Sequence, residues 1–226
     1  KPLARLSERR SHARVPANPS QRAVVEGTRV LNYLELEERS NRLANALLEL
    51  GLARGDRVGL LARNCLEYLE VELAAAKAGL ILACLNWRLG DRELQHCITL
   101  VEPKVVIAQA DLTPALDRLE FPPHQRITIG AEYESFMAAA SERYPDLEID
   151  PESGLVILYT SGTTGLPKGA LVSHRAMVAR GMCFTSEFEV PIGDNLRLGA
   201  ILSHGLYRSG ARHLAARRHG ACGRRL

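Results

Sequence analysis

The tightest constraint on this chain is a stretch of eleven residues, Tyr159-Thr160-Ser161-Gly162-Thr163-Thr164-Gly165-Leu166-Pro167-Lys168-Gly169, directly after the apolar run Leu155–Leu158. Three glycines, three threonines, a serine and a lysine suit a loop that wraps phosphate oxygens. Glycine lets the backbone come close and adopt positive φ. Successive N–H groups then face one concavity and hold an anion. The hydroxyls add donors and Lys168 adds a fixed positive charge.

The spacing excludes the commonest phosphate loop. A Walker A loop needs Lys followed by Ser or Thr at the opening of a helix. Here Lys168 stands between Pro167 and Gly169, and Pro167 fixes φ and lacks an N–H. Ala170–Val172 is short and apolar. The order expected is therefore strand, exposed loop over Thr160–Gly169, strand, then a helix from about Ser173, whose hydroxyl caps it. A flexible Gly/Ser/Thr linker is the competing reading, but linkers rarely carry Pro-Lys-Gly between two apolar strands.

Upstream, apolar periodicity predicts an α/β fold. A helix spans Asn32–Gly51, with Asn32 and Glu35 forming a capping box and Leu36, Leu43, Ala44, Leu47 and Leu50 one apolar face. Strands are expected at Val58–Ala62, Leu80–Leu85 and Lys104–Ala108. Helices are expected at Leu66–Ala78, ended by Gly79, and at Asp91–Val101. Residues 110–131 read as a proline-containing loop with a short strand at Ile127–Ile129. Glu132–Arg143 reads as a helix and Asp146–Ser153 as an acidic approach. Strands alternating with helices argue for a parallel sheet flanked by helices.

The phosphate-loop stretch resembles the signature of the adenylate-forming, or AMP-binding, superfamily. That group includes acyl-CoA synthetases, aryl-CoA ligases, luciferases and peptide-synthetase adenylation domains. Thr163 leans toward the acyl- and aryl-CoA ligases. Tyr33-Leu34-Glu35-Leu36, Gly55-Asp56-Arg57-Val58, Ala78-Gly79, Leu85-Asn86-Trp87-Arg88-Leu89 and Glu93-Leu94 are similar to further family stretches. The resemblance runs from about Pro16 to Asp194 and implies part of the family's large N-terminal domain, residues 1–195. It implies an acid–thiol ligase using ATP, Mg²⁺ and coenzyme A, acting on a carboxylic acid of the fatty type. Residue by residue it implies phosphate binding by Thr160, Ser161, Gly162, Thr163, Thr164, Gly165, Lys168 and Gly169. It carries over no catalytic acid or base. The alternative is a non-catalytic nucleotide-binding remnant or a pseudogene product.

Composition narrows the classes further. The net charge of +3 makes no case for nucleic acid. Without residues 212–226 the chain holds 24 basic and 26 acidic side chains. No apolar run approaches the roughly 20 residues of a membrane span. The N-terminus has no signal-peptide core and no initiator Met. The five cysteines, 65, 84, 97, 183 and 222, are scattered and odd in number, which suits buried thiols in a reducing cytosol. His96, His124 and His174 lack metal spacing and read as satisfied histidines. Glu67, Glu70 and Glu72 read as a solvated helix face, and Trp87 as core packing.

From Leu196 the amphipathic order ends in an arginine-rich tail. Back-translation of Leu196–Arg208, shifted by one base, yields Phe-Ala-Trp-Ala-Pro-Phe-Phe-His, which resembles the family's next stretch. The expectation is a one-base frameshift near Asn195 or Leu196, a poorly packed tail over 196–226, and a sheet left with an open apolar edge.

Overall fold

The structure, a computed structural model, describes residues 19–120, 125–160 and 165–188. The tail over 196–226, Cys222 and His124 lie outside the described residues.

Strand β3 (Arg57–Leu61), β4 (Ile81–Leu85) and β5 (Val105–Gln109) form the centre of a six-stranded sheet. Its order is β6-β5-β3-β4-β7-β8, with β6 at Gln125–Ile129, β7 at Gly154–Thr160 and β8 at Lys168–Ser173. The first five strands run parallel, and β8 is an antiparallel edge. Side chains alternate across a strand, so each central strand feeds two cores. Val58, Leu60, Leu82, Cys84, Val105 and Ile107 face one; Leu61, Ala83, Leu85, Val106 and Ala108 face the other.

The first core is covered by α1 (Tyr33–Glu49), α2 (Leu66–Ala78) and α5 (Ala131–Ala138). The second is covered by α3 (Asp91–Val101) and the segment around Leu116 and Leu119. The Asn32 capping box on α1 is present in both directions, each bond 2.8 Å. Helix α6 spans His174–Phe188, and the Ser173 hydroxyl accepts from the Ala176 amide at 3.3 Å.

Several expectations need correction. The expected loop over 110–131 contains a 3₁₀ turn at Ala110–Leu112, a short helix α4 at Thr113–Asp117 and the full strand β6. A two-stranded hairpin, β1 (Arg22–Glu26) and β2 (Arg29–Asn32), precedes α1. The helix expected to reach Arg143 stops at Ala138, because α1 captures the carbonyls that follow. Arg42 donates to Ala140 at 3.1 Å, Asn41 to Glu142 at 2.9 Å, and Asn45 to Ser141 and Arg143 at 2.7 and 2.8 Å. Cys65, Cys84 and Cys97 are buried, and burial pushes their thiols up to about 12, but Cys183 is exposed.

The largest correction concerns α2. Glu67 and Glu70 are 4% and 0% exposed, so they are not a solvated face. Glu70 accepts from Arg39 Nε at 2.5 Å and from the Tyr133 hydroxyl at 2.8 Å. Arg39 also reaches Glu134 at 2.7 and 2.9 Å. Glu67 Oε1 accepts from Arg29 at 2.5 Å. In the last turn of the helix, Lys77 Nζ donates to Ser40 Oγ, Asn41 Oδ1 and Glu37 Oε2 at 2.7, 2.8 and 2.9 Å. Glu72 is half-buried, and burial pushes its carboxyl up. Buried charges persist only with such partners.

At the other edge, Leu171, Val178 and Met182 are 60%, 62% and 68% exposed. Among the described residues no strand pairs with the outer side of β8.

Replacing Glu70 by Ala leaves Arg39 half-paired and the Tyr133 hydroxyl without its acceptor. The expected loss is about 3 kcal/mol, read from chemical denaturation. Burial pushes Glu67 and Asp56 up, but Arg29 and Lys104 outweigh it and hold both below their ordinary values of 4.5 and 3.8. Their contribution is complete above those values. It is lost as pH falls further through the folded-state values, because the unfolded carboxyls take up protons first. Melting temperature measured against pH therefore falls below about pH 4.5, and the Glu67→Gln variant flattens part of that fall.

Candidate functional site

Strands β7 and β8 form an antiparallel hairpin in which Thr160 pairs with Lys168 and Tyr159 with Gly169. Lys168 is thus the first residue of a strand, not part of a helix. This agrees with the strand–loop–strand order and removes the Walker A reading. The connecting turn emerges from the carboxyl end of β7. Because β7 runs parallel to β4, that is the same edge at which β3, β4 and β5 end. Ligands of open α/β sheets bind outside the carboxyl ends of the strands.

Four of the eight expected site residues are described. Thr160 and Lys168 are exposed and directly opposed, and Thr160 Oγ1 donates to the Lys168 carbonyl at 3.4 Å. Gly165 sits at φ 86° with open space around it, a left-handed conformation that disfavours any other residue. Gly169 answers to packing: a Cβ there would lie 3.0 Å from Ile157 Cγ2. Ser161, Gly162, Thr163 and Thr164 lie outside the described residues.

Helix α3 lies under this hairpin. The Tyr159 hydroxyl donates to the Cys97 carbonyl at 3.1 Å, and burial raises the Tyr159 phenol's pKa. His96 Nε2 lies 3.1 Å from the Pro167 carbonyl. Leu100 Cδ2 lies 3.8 Å from where a Gly169 Cβ would stand. Sequence reasoning missed α3 as the platform, although His96, Cys97 and Leu100 lie at helical spacing.

Two arginines stand farther along the edge. Arg63 follows β3, and Trp87 and Arg88 follow β4. The guanidinium carbons of Arg63 and Arg88 stand 4.8 and 4.7 Å from the Trp87 ring centroid. Trp87 packs against the second core, as expected, and also carries these two cations. Arg63 is held by Asp111 at 2.6 Å and by Gln109, whose Oε1 accepts from the Arg63 amide at 2.9 Å.

His174 opens α6. Burial lowers its pKa, and among the described residues its Nε2 has no hydrogen-bond partner, which corrects its reading as a satisfied histidine. Among the described residues no three His, Cys, Asp or Glu side chains gather to hold a metal ion. Mg²⁺ that accompanies a nucleotide needs no such cluster, because phosphates, waters and one or two carboxylates hold it. The hairpin's amides, hydroxyls and ammonium are donors, and donors suit an anion. Among the described residues no helix is long and apolar enough to cross a membrane.

The family model for AMP-binding enzymes matches residues 12–208. The long-chain-fatty-acid–CoA ligase FadD13 of Mycobacterium tuberculosis is 34% identical over 199 residues, covering 84% of this chain and 39% of that protein. The inhibitor-bound N-terminal domain of FACL13 from Mycobacterium tuberculosis superposes with a TM-score of 0.68 at 31% identity, over 74% of this chain and 44% of that one. ATP-bound MatB from Rhodopseudomonas palustris gives 0.69 at 29% identity, over 77% and 36%. The mostly parallel sheet with its helices matches the N-terminal domain of acyl-CoA synthetases. The chain spans 33% to 39% of the length of the first curated relatives it matches.

The hairpin's glycines are open to direct test. Gly165→Val forces a β-branched residue to positive φ and is expected to cost about 1–2 kcal/mol. Gly169→Val meets Ile157 and costs a similar amount by overpacking. Denaturant midpoints measure both, and only Gly165→Val should retain the β7–β8 cross-strand contacts in an NMR spectrum.

Proposed function

The chain belongs to the AMP-binding enzyme family, and from that premise we propose that it is part of an acyl-CoA synthetase whose β7–β8 loop holds the phosphates of ATP. In the reaction a carboxylate oxygen attacks the α-phosphorus, the bond to the bridging oxygen breaks, and pyrophosphate leaves with its electrons. The sulfur of coenzyme A then attacks the acyl carbon and AMP departs. The difficulty lies in crowding negative charge onto the phosphates during attack. Preorganised donors that meet this charge lower the barrier.

Thr160, Ser161, Gly162, Thr163, Thr164, Gly165, Lys168 and Gly169 are assigned to that loop. Thr160 and Lys168 converge on it from opposing strands. Residues 1–195 form part of the adenylation domain in this reading. The acid is of the fatty type, supported by the likeness to a long-chain-fatty-acid–CoA ligase. The use of ATP is supported by the likeness to an ATP-bound structure. The observation that carries the reading is the exposed Lys168 ammonium opposite Thr160 at the sheet's carboxyl edge.

Equilibrium dialysis with labelled MgATP tests it. The 226-residue chain is expected to bind ATP, and Lys168→Ala to weaken binding by about ten- to a hundredfold, the value of a charge-assisted hydrogen bond. Absence of ATP binding by the chain, or unchanged binding by the variant, overturns the assignment. The same chain supplied with ATP, coenzyme A and a fatty acid is expected to form no thioester above the Lys168→Ala background.

A further inference from the structure

Lys168 carries the one cationic side chain of the proposed loop, and its backbone is held from both sides, by Thr160 across the hairpin and by His96 on α3. The peptide after it is tethered through the Thr160 hydroxyl, which donates to the Lys168 carbonyl at 3.4 Å. The peptide before it is tethered through the Pro167 carbonyl, 3.1 Å from His96 Nε2 on α3. A carbonyl oxygen only accepts, so the bond requires the proton on Nε2. The two contacts fix the planes of the peptides that flank the Lys168 Cα, and with them the direction in which its side chain departs.

We propose that His96 is a positioning residue of the phosphate loop: its imidazole N–H, anchored on α3, orients the Pro167–Lys168 peptide and so places the Lys168 ammonium against the triphosphate. The anchor is rigid. Neighbouring Cys97 and Ile98 are fully buried in the second core, and the Cys97 carbonyl takes the Tyr159 hydroxyl. Helix α3 thus grips the hairpin at two points, at Tyr159 just before the loop and at Pro167 near its end. Pro167 makes this tether more consequential. With its own φ fixed and no N–H to donate, its carbonyl is the group through which that residue can be held by hydrogen bonding.

The inference rests on the phosphate-loop reading, and the test separates the two. Wild type, His96→Leu and His96→Gln are compared for MgATP binding by equilibrium dialysis, for thermal melting, and for hydrogen exchange of the backbone amides of 165–169. Gln places an amide N–H near the position of Nε2, whereas Leu keeps bulk and removes the donor. His96→Leu is expected to bind ATP about three- to tenfold more weakly, the worth of one neutral hydrogen bond. His96→Gln is expected to recover most of that loss, with both variants melting close to wild type. Equal binding by all three proteins, or a Gln variant as weak as Leu, overturns the proposal. If wild type itself binds no ATP, the functional reading fails, and exchange decides the positioning role alone. Faster exchange over 165–169 in His96→Leu, slowed again in His96→Gln, sustains it; unchanged exchange refutes it.

Discussion

The candidate site depends on one pairing: β7 lies parallel to β4, through Leu82 with Val156 and Ala83 with Ile157. A parallel strand must leave the sheet at the same end as its neighbour. The pairing therefore delivers the turn after Thr160 to the edge where β3, β4 and β5 also end. An antiparallel β7 would have sent the same residues to the opposite edge, away from Arg63, Trp87 and Arg88. The alternating side chains of β7 follow from the same choice, with Val156 entering the first core and Tyr159 the second. Tyr159 then reaches α3, and the loop acquires its platform.

The opposite layer meets a different demand. Packing α1 on α2 takes Glu67, Glu70 and Lys77 out of water, and each is answered by a partner from another segment. Arg29 and Glu26 come from the small hairpin, and the Glu26 carboxylate also accepts from the Leu66 amide at 3.2 Å, at the opening of α2. Arg39 and Ser40 come from α1, and Tyr133 from α5. These contacts join four elements with directional bonds that an apolar interface would lack. Removing one partner strands the other in a buried site, so these bonds cost more to break than they contribute when made.

The α/β alternation, the boundaries of α2 and α3, and the hairpin around the glycine-rich loop were legible in the sequence because each rests on local signals. Capping residues, terminal glycines and short continuous apolar runs act over a few residues. What was misread depends on distant partners. Glu67 and Glu70 look like a polar helix face until Arg29, Arg39 and Tyr133 arrive from 38, 31 and 63 residues away. The early end of α5 is set by Asn41, Arg42 and Asn45, about a hundred residues upstream, which take the carbonyls a longer helix would have used. The β1–β2 hairpin carries too few buried side chains to give a clear alternation. At the site, Lys168 was evident from its glycine neighbours. His96 was not, because a lone histidine on a helix gives no sign of touching a carbonyl 71 residues later.

A polyphosphate cradle in the turn between β7 and β8, at the carboxyl edge of the sheet, should respond to phosphates and not to a nucleoside alone. Amide chemical shifts of the isotope-labelled chain, titrated with MgATP and separately with adenosine, address it most directly. ATP is expected to shift resonances within Thr160–Gly169 and the adjoining ends of β4 and α3, and adenosine, lacking phosphates, to leave the Lys168 and Gly169 amides in place. Shifts confined to residues away from that edge, or equal responses of Lys168 and Gly169 to both compounds, would contradict it.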